Sequence, residues 1–197
     1  MQKSYHRLVF SLLFVFLFSL TACESVSVKT GSPPPPNETE VKKASANLPS
    51  PRFPESITNT ADAEYNWSVK DLSGKTVNAA DWKNKVLVLN MWATWCGPCI
   101  AEMPSLENLY EKTKNDGIVF ALVSDEDQET VNQFIQKRKF SLPVYTVENL
   151  PQIYRGDAIP RTLIIAANGK IVFDHLGAAR WDSETTIDFL KTVSQIK

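Results

Sequence analysis

An excess of charge of either sign is missing from this sequence, as are long apolar runs, and histidine and cysteine are scarce. The 197 residues carry 21 Lys+Arg against 22 Asp+Glu, a formal net charge of −1. Such a balance offers a polyanion nothing to bind, so nucleic acid is not an expected partner. The longest apolar stretch, Leu8–Leu20, is 13 residues, short of the roughly 20 that a membrane-spanning helix needs. Histidine occurs twice, at His6 and His175, and cysteine three times, at Cys23, Cys96 and Cys99. A structural zinc site takes four such ligands, commonly as two spaced pairs. With no cysteine after Cys99 and only His175 in that half of the chain, the second pair is absent. No internal repeat is visible. What is present is a globular composition, 43% hydrophobic and 22% charged, enough for one ordinary domain with appendages.

The first 22 residues have the parts of an export signal: basic Lys3 and Arg7, the apolar run, then small Thr21 and Ala22. Leu20-Thr21-Ala22-Cys23 resembles the lipobox of bacterial lipoproteins, which implies cleavage after residue 22, lipidation of Cys23 and a membrane anchor outside the cytoplasm. Two acyl chains on that cysteine would anchor it stably where one is marginal. A true membrane helix and a structural role for Cys23 are the alternatives. From Glu24 to about Thr60 the composition turns to Ser, Thr, Asn, Glu, Lys and seven prolines, including Pro33–Pro36. Too little apolar surface is available there to offset ordering. Residues 23–60 are therefore expected to be a lipidated cysteine and a flexible proline-rich tether, with a reach of about 35 Å, and residues 61–197 a single domain.

That domain alternates strand and helix signals, the pattern of a layered α/β fold. Trp67–Lys70 and Thr76-Val77 flank a Ser73-Gly74 turn and predict an opening β-hairpin. Val86–Trp92 is apolar without alternation, as in a central strand covered on both faces. Met103, Leu106, Leu109 and Tyr110 recur at helical spacing up to Asn115-Asp116-Gly117, and Ile118–Val123 reads as a second buried strand. Helices are predicted from Val131, Phe134 and Ile135, and from Ile187, Leu190 and Val193 after Ser183; a hairpin turns at Ala167-Asn168-Gly169.

Cys96 and Cys99 fall where the central strand meets the following helix. There the unpaired N–H groups and the helix dipole stabilise an anion, so Cys96 is favoured as a thiolate, the nucleophilic form, with Cys99 one turn away to close a disulfide. A structural bridge and half of a metal site remain as alternatives, although a bridge across two residues closes too short a loop to stabilise much.

Met91-Trp92-Ala93-Thr94-Trp95-Cys96-Gly97-Pro98-Cys99-Ile100-Ala101-Glu102-Met103-Pro104 resembles the active-site stretch of the thioredoxin superfamily, in particular the membrane-tethered branch with the TlpA, ResA and CcmG reductases. The resemblance runs from about Tyr65 to the end of the chain. It implies a thioredoxin-like fold, a central mixed sheet flanked by helices with an N-terminal β-hairpin extension, no cofactor, and a thiol-disulfide oxidoreductase. Cys96, Cys99 and Glu102 would be the catalytic residues, with Glu102 tuning cysteine protonation; a plain first-turn acid is the alternative for it. Ile159-Pro160 resembles the cis-proline loop that faces the cysteines, so Trp95, Gly97, Pro98, Ile159 and Pro160 would contact substrate. Asn90 stands where thioredoxins carry a buried aspartate, so that base is absent. Ala158 and Ala167 depart from the Gly and Asp usual in the branch, which affects loop shape. Trp92 and His175 read as structural.

A Gly-Pro pair between the cysteines is found in reductants near about −270 mV, other pairs in oxidants near about −120 mV. The expected activity is reduction of disulfides in exported proteins, apocytochrome c among the candidates, with electrons from a membrane donor protein. An oxidase or isomerase, and a metal-binding metallochaperone lipoprotein, are the competing readings.

Overall fold

In the computed structural model, residues 37–57 and 60–196 are described; the signal sequence and Cys23 lie outside them. The elements are α1 (Glu38–Ala46), β1 (Ala61–Asp62), β2 (Ser68–Asp71), β3 (Thr76–Asn78), β4 (Leu87–Met91), α2 (Gly97–Thr113), β5 (Val119–Ser124), α3 (Gln128–Arg138), β6 (Val144–Thr146), β7 (Arg161–Ile165), β8 (Lys170–Leu176) and α4 (Glu184–Val193). The eight strands form one mixed sheet in the order β1-β8-β7-β4-β5-β6-β2-β3. β4 runs parallel to β5 and antiparallel to β7. All five of its residues are buried, which is why its sequence lacks alternation.

The predicted opening hairpin is β2–β3, turning through Gly74 at φ 87°, a backbone angle that glycine adopts at little cost. It extends the sheet by pairing β2 with β6. One sheet face is covered by α2, α3 and α4, whose Met103, Leu106, Leu109, Val131, Ile135, Leu190 and Val193 close over Val88, Phe120, Leu122 and Ile164. Over the other face, Trp82 and Tyr154, from the short turns at Ala79–Trp82 and Gln152–Tyr154, cover Leu87, Leu89, Ala121 and Leu163.

The tether expected through residue 60 requires correction over its second half. Asn37 starts α1 with a reciprocal capping box to Glu40, and α1 packs on α2 with Val41 and Ser45 buried. Phe53 packs on both Phe189 and Phe173, with ring centroids at 4.2 and 4.7 Å. A few apolar side chains on a polar segment dock because the folded sheet and helices already supply a surface for them.

Candidate active site

Cys96 is the N-cap of α2, its sulfur accepting the Cys99 N–H at 3.2 Å. The two sulfurs are joined in a disulfide. Trp92 and Ala93 end the buried strand stretch and the chain turns at Ala93–Cys96, where the Cys96 N–H donates to the Ala93 carbonyl at 3.1 Å. Gly97 and Pro98 then open the helix on the exposed side, proline sitting where its missing N–H costs nothing. Cys99 is 1% exposed and Cys96 4%, so Cys99 lies deeper and attack from outside falls to Cys96.

Facing the pair, the Ile159–Pro160 peptide is cis, and the Ile159 carbonyl oxygen lies 3.8 Å from the Cys96 sulfur. Trp95 is 74% exposed beside it. A cavity of about 640 Å³ runs between Trp95 and the 147–161 segment, with Val123, Leu150, Tyr154 and Ile159 among its walls. The structure thus brings Trp95, Cys96, Cys99, Ile159 and Pro160 to one place, at the end of the sheet where β4 and β5 terminate.

Glu102 is fully buried. One carboxylate oxygen accepts from Asn90 Nδ2 at 2.9 Å, the other from the Ala179 N–H at 3.1 Å and Trp181 Nε1 at 2.9 Å. Burial pushes its pKa from the ordinary 4.5 up to about 7, while the hydrogen bonds from Trp181, Ala179 and Asn90 pull the other way. A solvated first-turn acid is therefore not what Glu102 is; its carboxyl group faces the interior in a cage of donors and changes its proton near neutrality. Asn90 also donates to Thr162 Oγ1 at 2.9 Å, and its own Oδ1 is buried without a hydrogen bond.

The positions of Trp181 and Thr162 in this network have no signal in the sequence, since 79 residues separate Trp181 from Glu102. Trp92 is buried against Phe134. His175 stacks on Phe173 and meets the edge of Trp181; burial lowers its pKa.

The Redoxin family matches residues 52–190. Curated relatives are thiol-disulfide oxidoreductases named ResA. One from Bacillus cereus is 36% identical over 115 residues, covering 57% of this chain and 66% of that one. The Halalkalibacterium halodurans protein is 31% identical over 125 residues, covering 62% and 71%. The chain thus spans about two thirds of the length of these relatives. Among solved structures, one from Bacteroides vulgatus, provisionally assigned to the thiol-disulfide oxidoreductases, superposes with a TM-score of 0.61 at 29% identity, covering 71% of this chain and 99% of the other. A thioredoxin-family thiol:disulfide interchange protein from Chlorobium tepidum TLS shares the fold, with a TM-score of 0.55 at 22% identity over 71% and 98%. The fold, the strand-to-helix cysteine pair and these matches agree, and the chain belongs to the redoxin family, in the thioredoxin-like branch of its ResA relatives.

Proposed function

We propose that this chain is an extracytoplasmic thiol-disulfide oxidoreductase that reduces disulfides in exported proteins. The observation that carries the reading is the pairing of Cys96, the N-cap of α2 and the less deeply buried of the two, with Cys99, across from the Ile159 carbonyl. In the reduced enzyme the Cys96 thiolate attacks one sulfur of the substrate disulfide, and the released substrate sulfur takes up a proton. Cys99 then loses its proton and attacks Cys96, freeing the second substrate thiol and leaving the Cys96–Cys99 disulfide. Two electrons have moved from enzyme to substrate. A dithiol protein in the membrane restores the reduced pair. In this reading Glu102, buried and three residues after Cys99, holds or releases a proton near pH 7 during the exchange, a role its raised pKa supports.

An extended substrate strand lies along Ile159 and Pro160, with Trp95, Gly97 and Pro98 bordering it. Residues 1–22 serve as the export signal, and lipid on Cys23 holds the domain at the membrane through the preceding segment. An apocytochrome c fits the substrate class, its paired cysteines requiring reduction before haem attachment.

Trapping tests the assignment. Cys99→Ser should accumulate mixed disulfides through Cys96, and Cys96→Ser should not; trapping by Cys96→Ser alone, or by neither, sinks the assigned roles. A measured potential near about −120 mV, in place of about −270 mV, would make the protein an oxidant.

A further inference from the structure

Two residues before the reactive cysteine, the chain is held by a side chain from the connection between β5 and α3. The last ladder bond between β4 and β5 runs from the Trp92 N–H to the Val123 carbonyl at 3.1 Å. Beyond it, a carboxylate continues the connection. Glu126 accepts the Thr94 N–H on Oε2 at 2.7 Å and the Thr94 hydroxyl on Oε1 at 2.6 Å, and Ser124 Oγ donates to Oε2 at 3.0 Å. The Glu126 N–H returns a bond to Ser124 Oγ at 3.2 Å. Bonds to an ionised acceptor are about twice as strong as neutral ones, and two directed at one residue fix its orientation as well as its distance.

Thr94 and Trp95 are the two central residues of the Ala93–Cys96 turn. Holding Thr94 by both backbone and side chain leaves the turn little freedom, although Trp95 itself is 74% exposed and not held by packing. Trp95 and Ile159 both line the same cavity, and the Ile159 carbonyl also faces the Cys96 sulfur. Where the turn sits therefore decides the width of the path by which a substrate strand reaches Cys96.

We infer that Glu126 is a positioning residue: it clamps the Ala93–Cys96 turn through Thr94 and thereby sets Trp95 against the incoming substrate strand. This inference rests on the reductase reading above. Cys96 closes the same turn but is also held from its other side, as the N-cap of α2 and by the Cys99 N–H, so loss of the clamp disturbs docking more than sulfur reactivity.

The test uses the chain carrying 5-fluorotryptophan, with Trp95 assigned by Trp95→Phe, and a disulfide-linked peptide pair as substrate, a small dithiol re-reducing the cysteine pair and its direct reaction with the peptide subtracted. Glu126→Ala should raise KM about five- to ten-fold with kcat within about two-fold, and move or broaden the Trp95 fluorine signal alone. Iodoacetamide should alkylate reduced Cys96 at an unchanged rate. Glu126→Gln, which keeps an acceptor oxygen for the Thr94 N–H, should recover most of the KM. Thr94→Val should move KM less than Glu126→Ala and add nothing to it in the double variant, as expected of partners in one interaction. An unchanged KM and Trp95 signal overturns the inference. So does a fall in alkylation rate matching the loss of turnover, which would place Glu126 on the thiolate, or equal disturbance of all five tryptophan signals, which would make its role global. Should the unsubstituted chain fail to reduce the peptide, the reductase reading falls, while the Trp95 signal still reports whether the clamp exists.

Discussion

Glu102 is a carboxyl group whose proton is worth stability. Its folded pKa, about 7, lies above its ordinary 4.5, so folding favours the acid form. That contribution is fully present below about pH 4.5 and is lost as pH rises through 7. The shift corresponds to a few kcal/mol at most, on the order of 3. Unfolding free energy measured from pH 4.5 to 8 should fall for the native sequence, and Glu102→Gln should flatten that slope; an unaltered slope would mean that the group does not titrate in this range. The glutamine can be accommodated because Asn90 Oδ1, buried and unbonded, becomes an acceptor for it when the Asn90 carboxamide rotates. Trp181→Phe removes a donor to the carboxylate, so the Glu102 midpoint should rise, readable from the 13C shift of its carboxyl carbon. An unchanged midpoint would mean that the hydrogen bond is not felt by the anion.

At the scale of elements, α2 is organised by the redox pair itself: Cys96 caps it, Pro98 starts it and Pro104 lies inside it. The outer side of this helix is where α1 docks. Val41 is 4% exposed, so Val41→Ala should cost about 1–2 kcal/mol of unfolding free energy in urea. A free tether would show no change. The helix went unread in the sequence because its polar composition, with only Val41 and Ser45 inward, carries almost no periodic signal and its stability comes from packing. β6 escaped for a related reason: three residues, Val144–Thr146, are too few for a pattern, and the strand exists because β5 and β2 supply partners on either side. By contrast β4, β5, α2 and the β7–β8 hairpin were legible, their long apolar runs and turn glycines being local properties.

For the whole molecule, every site residue from Asn90 to Trp181 lies in the compact unit Pro35–Lys197. A chain lacking residues 1–34 should therefore match the full-length protein in peptide-disulfide turnover to within about two-fold, and differ from it in membrane attachment. A ten-fold loss would place part of the site outside that unit. Within it, no described helix is long and apolar enough to cross a membrane. Composition and motif alone determined the redox chemistry, because two cysteines at a strand-to-helix junction acquire their reactivity from the backbone that follows them. The motif resemblance also singled out Glu102 and Ile159-Pro160. Only the tertiary structure decided what those residues face. The sheet order sets Thr162 of β7 beside Asn90 of β4, the return of the chain before α4 brings Trp181 onto Glu102, and the parallel β4–β5 pairing brings Glu126 to Thr94. Such contacts join residues 32 to 79 positions apart, and a hydrogen bond across that separation depends on where the strands lie, which no local pattern encodes.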